Sequence, residues 1–384
     1  MQDLKEAARR VLLNNLHGPF LGLPRTAAWG YPEPYTRDWM ISALGILVSK
    51  DDQLVDALRD VLSALGQRQT RLGNIPSLAN DPKDCGASDT TPLFLIGLAL
   101  FRSVTGEARF LEEAAQKSLA WLAYQSPDDS GLIAQQPTSD WRDEQWVWGY
   151  ALYVNTLAYA SLRLYGLDDR ARSLHALLNA PAKRGTQDGE RIHEGLSLEE
   201  RPYYALWAYK IHHSARFDLP GNSLAILFGL ADQSRAGSII DWAEESVGEM
   251  QARGLLACDL PPCLMPFIQP EDGDWHPRYA RFNLPGEYHN GGLWPFTLGF
   301  YIAALVAAGR YDLAAQKMTS LSGLVRRARD ASLDYGFNEW LGARDCSPRG
   351  QDWQTWSAAM YLYAAACVEQ GRTPFFDEMR GDKS

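Results

Sequence analysis

Apolar residues recur at three- and four-residue steps along most of this chain, the stripe of a helix that buries one face. The pattern predicts helices over Asp3–Leu16, Arg37–Ser49, Leu54–Leu65, Thr91–Val104, Ala108–Ala123, Gly149–Tyr165, Ala171–Leu178, Leu198–His212, Gly221–Leu230, Ser234–Ala252, Gly292–Ala307, Leu313–Arg327 and Trp353–Val368. Two-residue alternation is nowhere sustained and no Asn-Gly turn joins two apolar runs, so strands are not expected. Gly and Pro collect between the helices, at Gly18–Tyr35, Asp81–Ser88 and Asp259–Gly292. Tetratricopeptide- or HEAT-like repeats are absent, and no Ser-, Gly- or Pro-rich linker divides the sequence. These features predict an all-α protein with residues 1–384 as a single domain, its helix pairs closed into a ring. A ring would gather the long, aromatic loops that enter alternate helices at one end.

Composition narrows the function. Hydrophobic residues make up 46% of the 384, enough for a large core and too many for a disordered chain. The net charge of −10 argues against nucleic acid as a partner, because phosphate backbones select clustered Lys and Arg. The apolar run at Pro92–Phe101 is too short to span a membrane, and the charged N-terminal helix lacks the apolar core of a signal peptide. Five scattered cysteines (Cys85, Cys258, Cys263, Cys346, Cys367) form no metal-ligand spacing and read as free thiols. A cytoplasmic protein without metal or cofactor is expected, its oligomeric state left open. Among 13 Trp, many sit beside Asp, Glu, Asn or Gly, as they would in the wall of a sugar-binding cleft.

Four segments carry the candidate chemistry. The first runs from Tyr31 through Tyr35 to Arg37-Asp38-Trp39 at a helix start. Asp38 there could be a helix cap. With Arg37 and the Trp39 indole it also makes a sugar grip, a carboxylate and a guanidinium for hydroxyls and a ring for the pyranose face. The second, Thr138–Tyr150, packs Asp140, Trp141, Asp143, Glu144, Trp146 and Trp148 into a dozen residues. Indoles against a carboxylate desolvate it and raise its pKa, as a general acid requires. In the third, Tyr288-His289-Asn290-Gly291-Gly292 precedes Trp294 at a helix entry and reads as a binding loop. The fourth pairs Glu339-Trp340 with Gln354 and Trp356. Glu339 supplies a second carboxylate far along the chain, as an inverting glycosidase needs: one carboxyl protonates the leaving oxygen while the other activates water.

The wording and order of YTRDW, SDWRDEQWVWGY, RFDLPGNSLAIL (Arg216–Leu227), YHNGGLWP and NEWLG…WQTWS resemble the (α/α)6-barrel glycoside hydrolases. The alkaline/neutral invertases look closest, with bacterial α-glucosidases and mannosylglycerate or glucosylglycerate hydrolases as relatives. The resemblance implies an (α/α)6 barrel and hydrolysis of a small α-glucoside, sucrose-like or another α-glucosyl disaccharide or compatible solute. It implies Asp143 as general acid, before the Gly149-Tyr150 pair, and Glu339 as the base that activates water. Asp140 stays a rival for the acid. Arg37 and Asp38 match the residues that hold the non-reducing sugar; His289, Asn290 and Trp294 match the HNGG-x-WP loop, and Gln354 and Trp356 the Q-T-W of the last helix. Tyr35, Trp39, Trp141, Tyr288 and Trp340 complete the expected sugar contacts. This chain departs from the invertases where Glu144-Gln145 replaces two arginines and Trp340 replaces the first of two tyrosines, which leaves sucrose itself open. A sugar epimerase using the His212-His213 pair, and a carbohydrate-binding protein without catalysis, are the alternatives.

Overall fold

The computed structural model describes residues 2–81, 83–181, 183–184, 191–192 and 195–381. Pro82, inside the Asp81–Ser88 connection, lies outside them. In chain order the helices are α1 (Gln2–Asn14), α2 (Thr36–Ser49), α3 (Asp52–Arg68), α4 (Thr90–Thr105), α5 (Glu112–Tyr124), α6 (Leu152–Leu164), α7 (Asp168–Asn179), α8 (Leu219–Leu227), α9 (Gln233–Ala252), α10 (Tyr279–Phe282), α11 (Pro295–Ala307), α12 (Tyr311–Val325), α13 (Thr355–Gln370) and α14 (Asp377–Arg380). Where a cap is present it sets the boundary: the Asp51 side chain accepts from the backbone N–H groups of Gln53 and Leu54 and starts α3, and Asp232 does the same through Arg235 for α9. None of the described helices is long and apolar enough to cross a membrane.

Among the described residues, six helices form an inner ring. α2 packs on α4, α4 on α6, α6 on α8, α8 on α11, α11 on α13, and α13 returns to α2. α1, α3, α5, α7 and α12 lie outside, against α13, α2, α4, α6 and α11 respectively. The sequence dictates which helix goes where. α11 (PFTLGFYIAALVA) and most of α13 are buried all round, so only the interior suits them. α3 buries a single stripe, Leu54, Leu58, Val61, Leu62 and Leu65, and can face solvent with the rest. α2 and α13 approach so closely at Gly45 that a Cβ there would lie 1.9 Å from the carbonyl oxygen of Ala359.

The chain departs from an all-helical pattern chiefly in one sheet. Strands β1 (Tyr150–Ala151), β4 (Ala205–Tyr209), β5 (His212–Asp218) and β6 (Leu264–Met265) form a sheet in the order β1-β4-β5-β6, every adjacent pair antiparallel. The short pairs β2 (Lys183–Arg184) with β3 (Arg191–Ile192) and β7 (Trp340–Leu341) with β8 (Pro348–Arg349) are the other strands among the described residues. The helix expected over Leu198–His212 is therefore a hairpin, in which Tyr209 pairs with His212 across a Lys210-Ile211 turn. Lys210 takes a φ of 52°, the left-handed conformation such a turn demands. The run Ala205–Ala208 is buried on both faces and so carries no period to separate strand from helix. α9 covers this sheet through Trp242, 4.3 Å from Tyr203 and 5.1 Å from Phe217.

Candidate active site

Five of the six inner helices begin directly after a loop or strand singled out in the sequence: α2 after Tyr35, α6 after β1, α8 after β5, α11 after Trp294 and α13 after Gln354. Segments separated by up to about 300 residues consequently converge on a cavity of about 100 Å3. Both candidate catalytic carboxylates, Asp143 and Glu339, line it. So do Tyr35, Arg37, Asp38, Trp141, Tyr288, His289, Trp294, Gln354 and Trp356 from the candidate set.

Glu339 is fixed from three directions. Its Oε2 accepts the backbone N–H of Gln351 at 3.1 Å, and the Tyr31 hydroxyl lies 3.4 Å from its Oε1. Beneath it Asn338 holds the loop by donating to Asp352 and accepting from the Ser357 hydroxyl on α13. Gly350, at φ 63°, lies so near that a Cβ would stand 2.2 Å from the Glu339 carboxylate. Burial raises the Glu339 carboxyl to about 7, aided by the charge of Asp143 and opposed by the Gln351 and Tyr31 hydrogen bonds.

Asp143 is held more loosely. Arg37 grips Asp89 through Nε at 2.6 Å and Nη2 at 3.1 Å, then reaches Asp143 with Nη1 at 3.4 Å. The Asp143 side chain is 65% accessible, at the cavity it lines. Accessibility alone would predict an ordinary carboxyl, whereas desolvation by the surrounding walls raises it to about 6 against the pull of Arg37, with Asp89 and Asp140 adding to the rise.

Asp38 is not a helix cap, since Tyr35 occupies that position and makes no side-chain capping bond. Its carboxylate accepts from Gln354 Nε2 at 3.0 Å, and burial raises it to about 8 despite Arg37. Three carboxyl groups thus share one small cavity with a single guanidinium already committed to Asp89, so they cannot all ionise at neutral pH.

The apolar wall is built from rings. Trp141 meets His289, Trp294 and Phe296 edge-on at 5.2–5.3 Å. His289 stacks between Tyr288 at 4.0 Å and Trp294 at 5.4 Å. Burial drives the imidazole well below its ordinary pKa, helped by the Arg142 charge, so His289 is neutral.

Four candidates lie elsewhere. Trp39 is wholly buried on α2 and does not line the cavity. An indole on an inner helix removes about 150–250 Å2 from water, a gain of about 4–6 kcal/mol that outweighs a role in stacking on sugar. Asn290 is also structural: its amide bonds both backbone groups of Ile268 and the carbonyl of Asn283. Trp340 lines a neighbouring chamber of about 440 Å3 that shares Tyr31, Tyr288 and Glu339 with the cavity and adds Arg281 and Arg349.

Asp140, the rival acid, is fully buried outside the cavity. It takes Arg142 Nη2 at 2.6 Å, Nε at 3.2 Å and the Arg142 backbone N–H at 2.8 Å. Burial pushes its pKa up, but the guanidinium outweighs that and holds it below the usual range. Arg142 also meets Asp218, at the end of β5, at 2.9 Å. Replacing Arg142 by alanine strands two buried carboxylates and should cost about 3–5 kcal/mol of unfolding free energy, read by urea denaturation. A cost below about 1 kcal/mol would mean that the carboxylates find other partners.

Some residues of the site lie outside the sequence-derived set. Asp89 opens α4 in the string Ser-Asp-Thr-Thr-Pro, which reads only as a helix start. Thr26 and Gly350 sit in connections whose residue types carry no chemical signature, whereas Tyr31 and Gln351 open the first candidate segment and the second half of the fourth, where their residue types do not specify a contact with Glu339.

Comparison with known proteins agrees with this architecture. Residues 203–371 match the family described as alkaline and neutral invertase, a stretch that contains Glu339 and the 288–294 loop but not Asp143 or Arg37. The chain is 31% identical over 159 residues to probable alkaline/neutral invertase D of Arabidopsis thaliana, covering 39% of this chain and 26% of that protein. It is 30% identical over 156 residues to the chloroplastic alkaline/neutral invertase E of the same plant, covering 40% and 23%. The aligned region thus spans about a quarter of these relatives. The GH63 mannosylglycerate hydrolase of Thermus thermophilus, solved with Tris and D-glycerate, superposes with a TM-score of 0.66 at 19% identity over 94% of this chain and 99% of that one. A bacterial glucoamylase complexed with acarbose does so at 0.60 and 14% identity over 98% and 57%. In its second half the chain is similar to the alkaline and neutral invertases, and across nearly its whole length it has the fold of the α/α-barrel glycosidases.

Proposed function

We propose that the chain is an inverting glycoside hydrolase whose residues 1–384 work as one catalytic domain on a small α-glucoside. A single observation carries this reading: Asp143 and Glu339 line the same small aromatic cavity. Asp143, protonated, gives its proton to the glycosidic oxygen as the bond from that oxygen to the anomeric carbon breaks. A water on the opposite face attacks that carbon and yields its proton to Glu339. Exchange with solvent then restores both groups.

Arg37, Asp38 and Gln354 hold the ring hydroxyls while Trp141, Trp294 and Trp356 cover the apolar faces. The chamber beside Glu339 receives the other half of the substrate. The invertase match supports a sucrose-like glucoside, and the names of the structural neighbours widen the range to glycerate glycosides. The cytoplasm is the compartment we propose.

The epimerase reading weakens on geometry. His212 and His213 sit on β5, not on a helix, and line another cavity altogether. Proton NMR during turnover of sucrose, maltose, trehalose, glucosylglycerate and mannosylglycerate tests the proposal. β-Glucose should be the first anomer released from an α-glucoside. Release of α-glucose would overturn inversion, and sugar binding without turnover across the panel would favour a non-catalytic protein.

A further inference from the structure

A cavity of about 870 Å3 lies apart from the cleft and shares no lining residue with the catalytic cavity or the chamber beside it. The hairpin β4–β5 forms its floor. Trp207 lies there with Trp148 at 4.9 Å, and Trp242 closes the far side. At the rim Trp146, 47% exposed, stacks flat on His276 at 4.8 Å with 6° between the planes. Trp146, open to solvent beside the half-buried Trp148 and Trp242, forgoes burial energy, and exposed aromatic surface at a concavity marks a ligand.

The charged groups of the wall differ in how far they are paired. Arg216 in this wall is saturated by Asp272 and Asp274 at 2.8 and 2.7 Å. Arg201 and Arg253 are exposed to the cavity and hold no ion pair among the described residues. The carboxylates in the lining are Glu249 and Asp274, the latter already paired with Arg216. Among the described residues, Arg201 and Arg253 thus bring two guanidiniums without ion pairs to the wall that carries the exposed Trp146.

We propose that this cavity is a second binding site, for a carbohydrate that carries a phosphate. The indole and imidazole faces take the C–H face of the sugar, and the two guanidiniums take the phosphate oxygens through paired N–H bonds. Ser214 and Ser246 offer hydroxyls to the sugar equator. The site also reaches the catalytic loop. Trp146 follows Asp143 by three residues, its backbone N–H donates to Tyr279 Oη at 2.6 Å, and Glu144 pairs with Arg278 of the same strap.

Glucose 6-phosphate is the probe, titrated into the full chain by calorimetry and tryptophan fluorescence, with and without glucose saturating the catalytic cavity. Binding should survive the glucose. The double variant Arg201→Ala/Arg253→Ala should weaken it about tenfold or more, a change of about 1.4 kcal/mol. The same variant should hydrolyse glucosides within about twofold of the parent, because neither arginine lines the cleft. Loss of binding on adding glucose would reduce the two sites to one. Equal affinity in the double variant, no binding by either readout, or inorganic phosphate binding as tightly as the sugar phosphate would each overturn the proposal. Because binding is read without turnover, its failure is distinct from any failure of the hydrolase reading.

Discussion

Glu339→Gln should lose about a hundred- to ten-thousandfold in kcat, the share that a positioned general base contributes. Glutamine is the informative replacement because the space around the group is already taken. Gly350 leaves no room for a larger or reoriented side chain, and the amide oxygen can still accept from Gln351. The variant loses only the ability to take a proton. Affinity for glucose should shift by less than about tenfold, the worth of one neutral hydrogen bond. A kcat within threefold or so of the parent would remove Glu339 from the mechanism. A matching collapse of glucose affinity would instead make it a binding residue. Azide, which needs no base, should restore part of the turnover in Glu339→Ala and form a β-glucosyl azide.

Much of this arrangement is legible in the amino-acid order. The inner ring follows from helices such as α11 and α13 that have no polar face, and the outer helices from single stripes such as that of α3. The convergence of the four motifs follows in turn, since each lies just before an inner helix. Two kinds of feature resist such reading. Trp39 and Asn290 belong to good sugar-binding motifs, but a residue type does not say which side of its helix or loop faces the cavity. Asp89 acts through a partner 52 residues away, and nothing local marks it. The hairpin β4–β5 escapes for a third reason, that burial on both faces erases the alternation by which a strand is recognised.

The same limit explains why Asp140 and Asp143 are equivalent in sequence and distinct in space. Both lie among the indoles, three residues apart, but only Asp143 opens onto the cavity. Asp143→Asn should therefore behave as the loss of an acid, with an effect that depends on the leaving group. Hydrolysis of a natural disaccharide should fall by about a hundred- to ten-thousandfold. Glucosyl fluoride or a nitrophenyl glucoside, whose leaving groups depart without a proton, should keep a rate within about tenfold of the parent.

The pH profile supplies an independent sign. In the parent, kcat/KM rises as the base ionises and falls as the acid loses its proton. With the Asp143 acid at about 6 and the Glu339 base at about 7, the productive form, acid protonated and base ionised, is a minority species, and the bell is narrow and centred between the two values. Asp143→Asn removes the falling limb. The rate should then climb to a plateau through the Glu339 value alone, a value lowered by loss of the Asp143 charge that helps to raise it. Asp140→Asn, by contrast, should lower stability by unbalancing Arg142 and should slow all leaving groups alike. If Asp140→Asn gave the leaving-group dependence and Asp143→Asn did not, the acid would be Asp140, and Arg142 would have to release it during turnover.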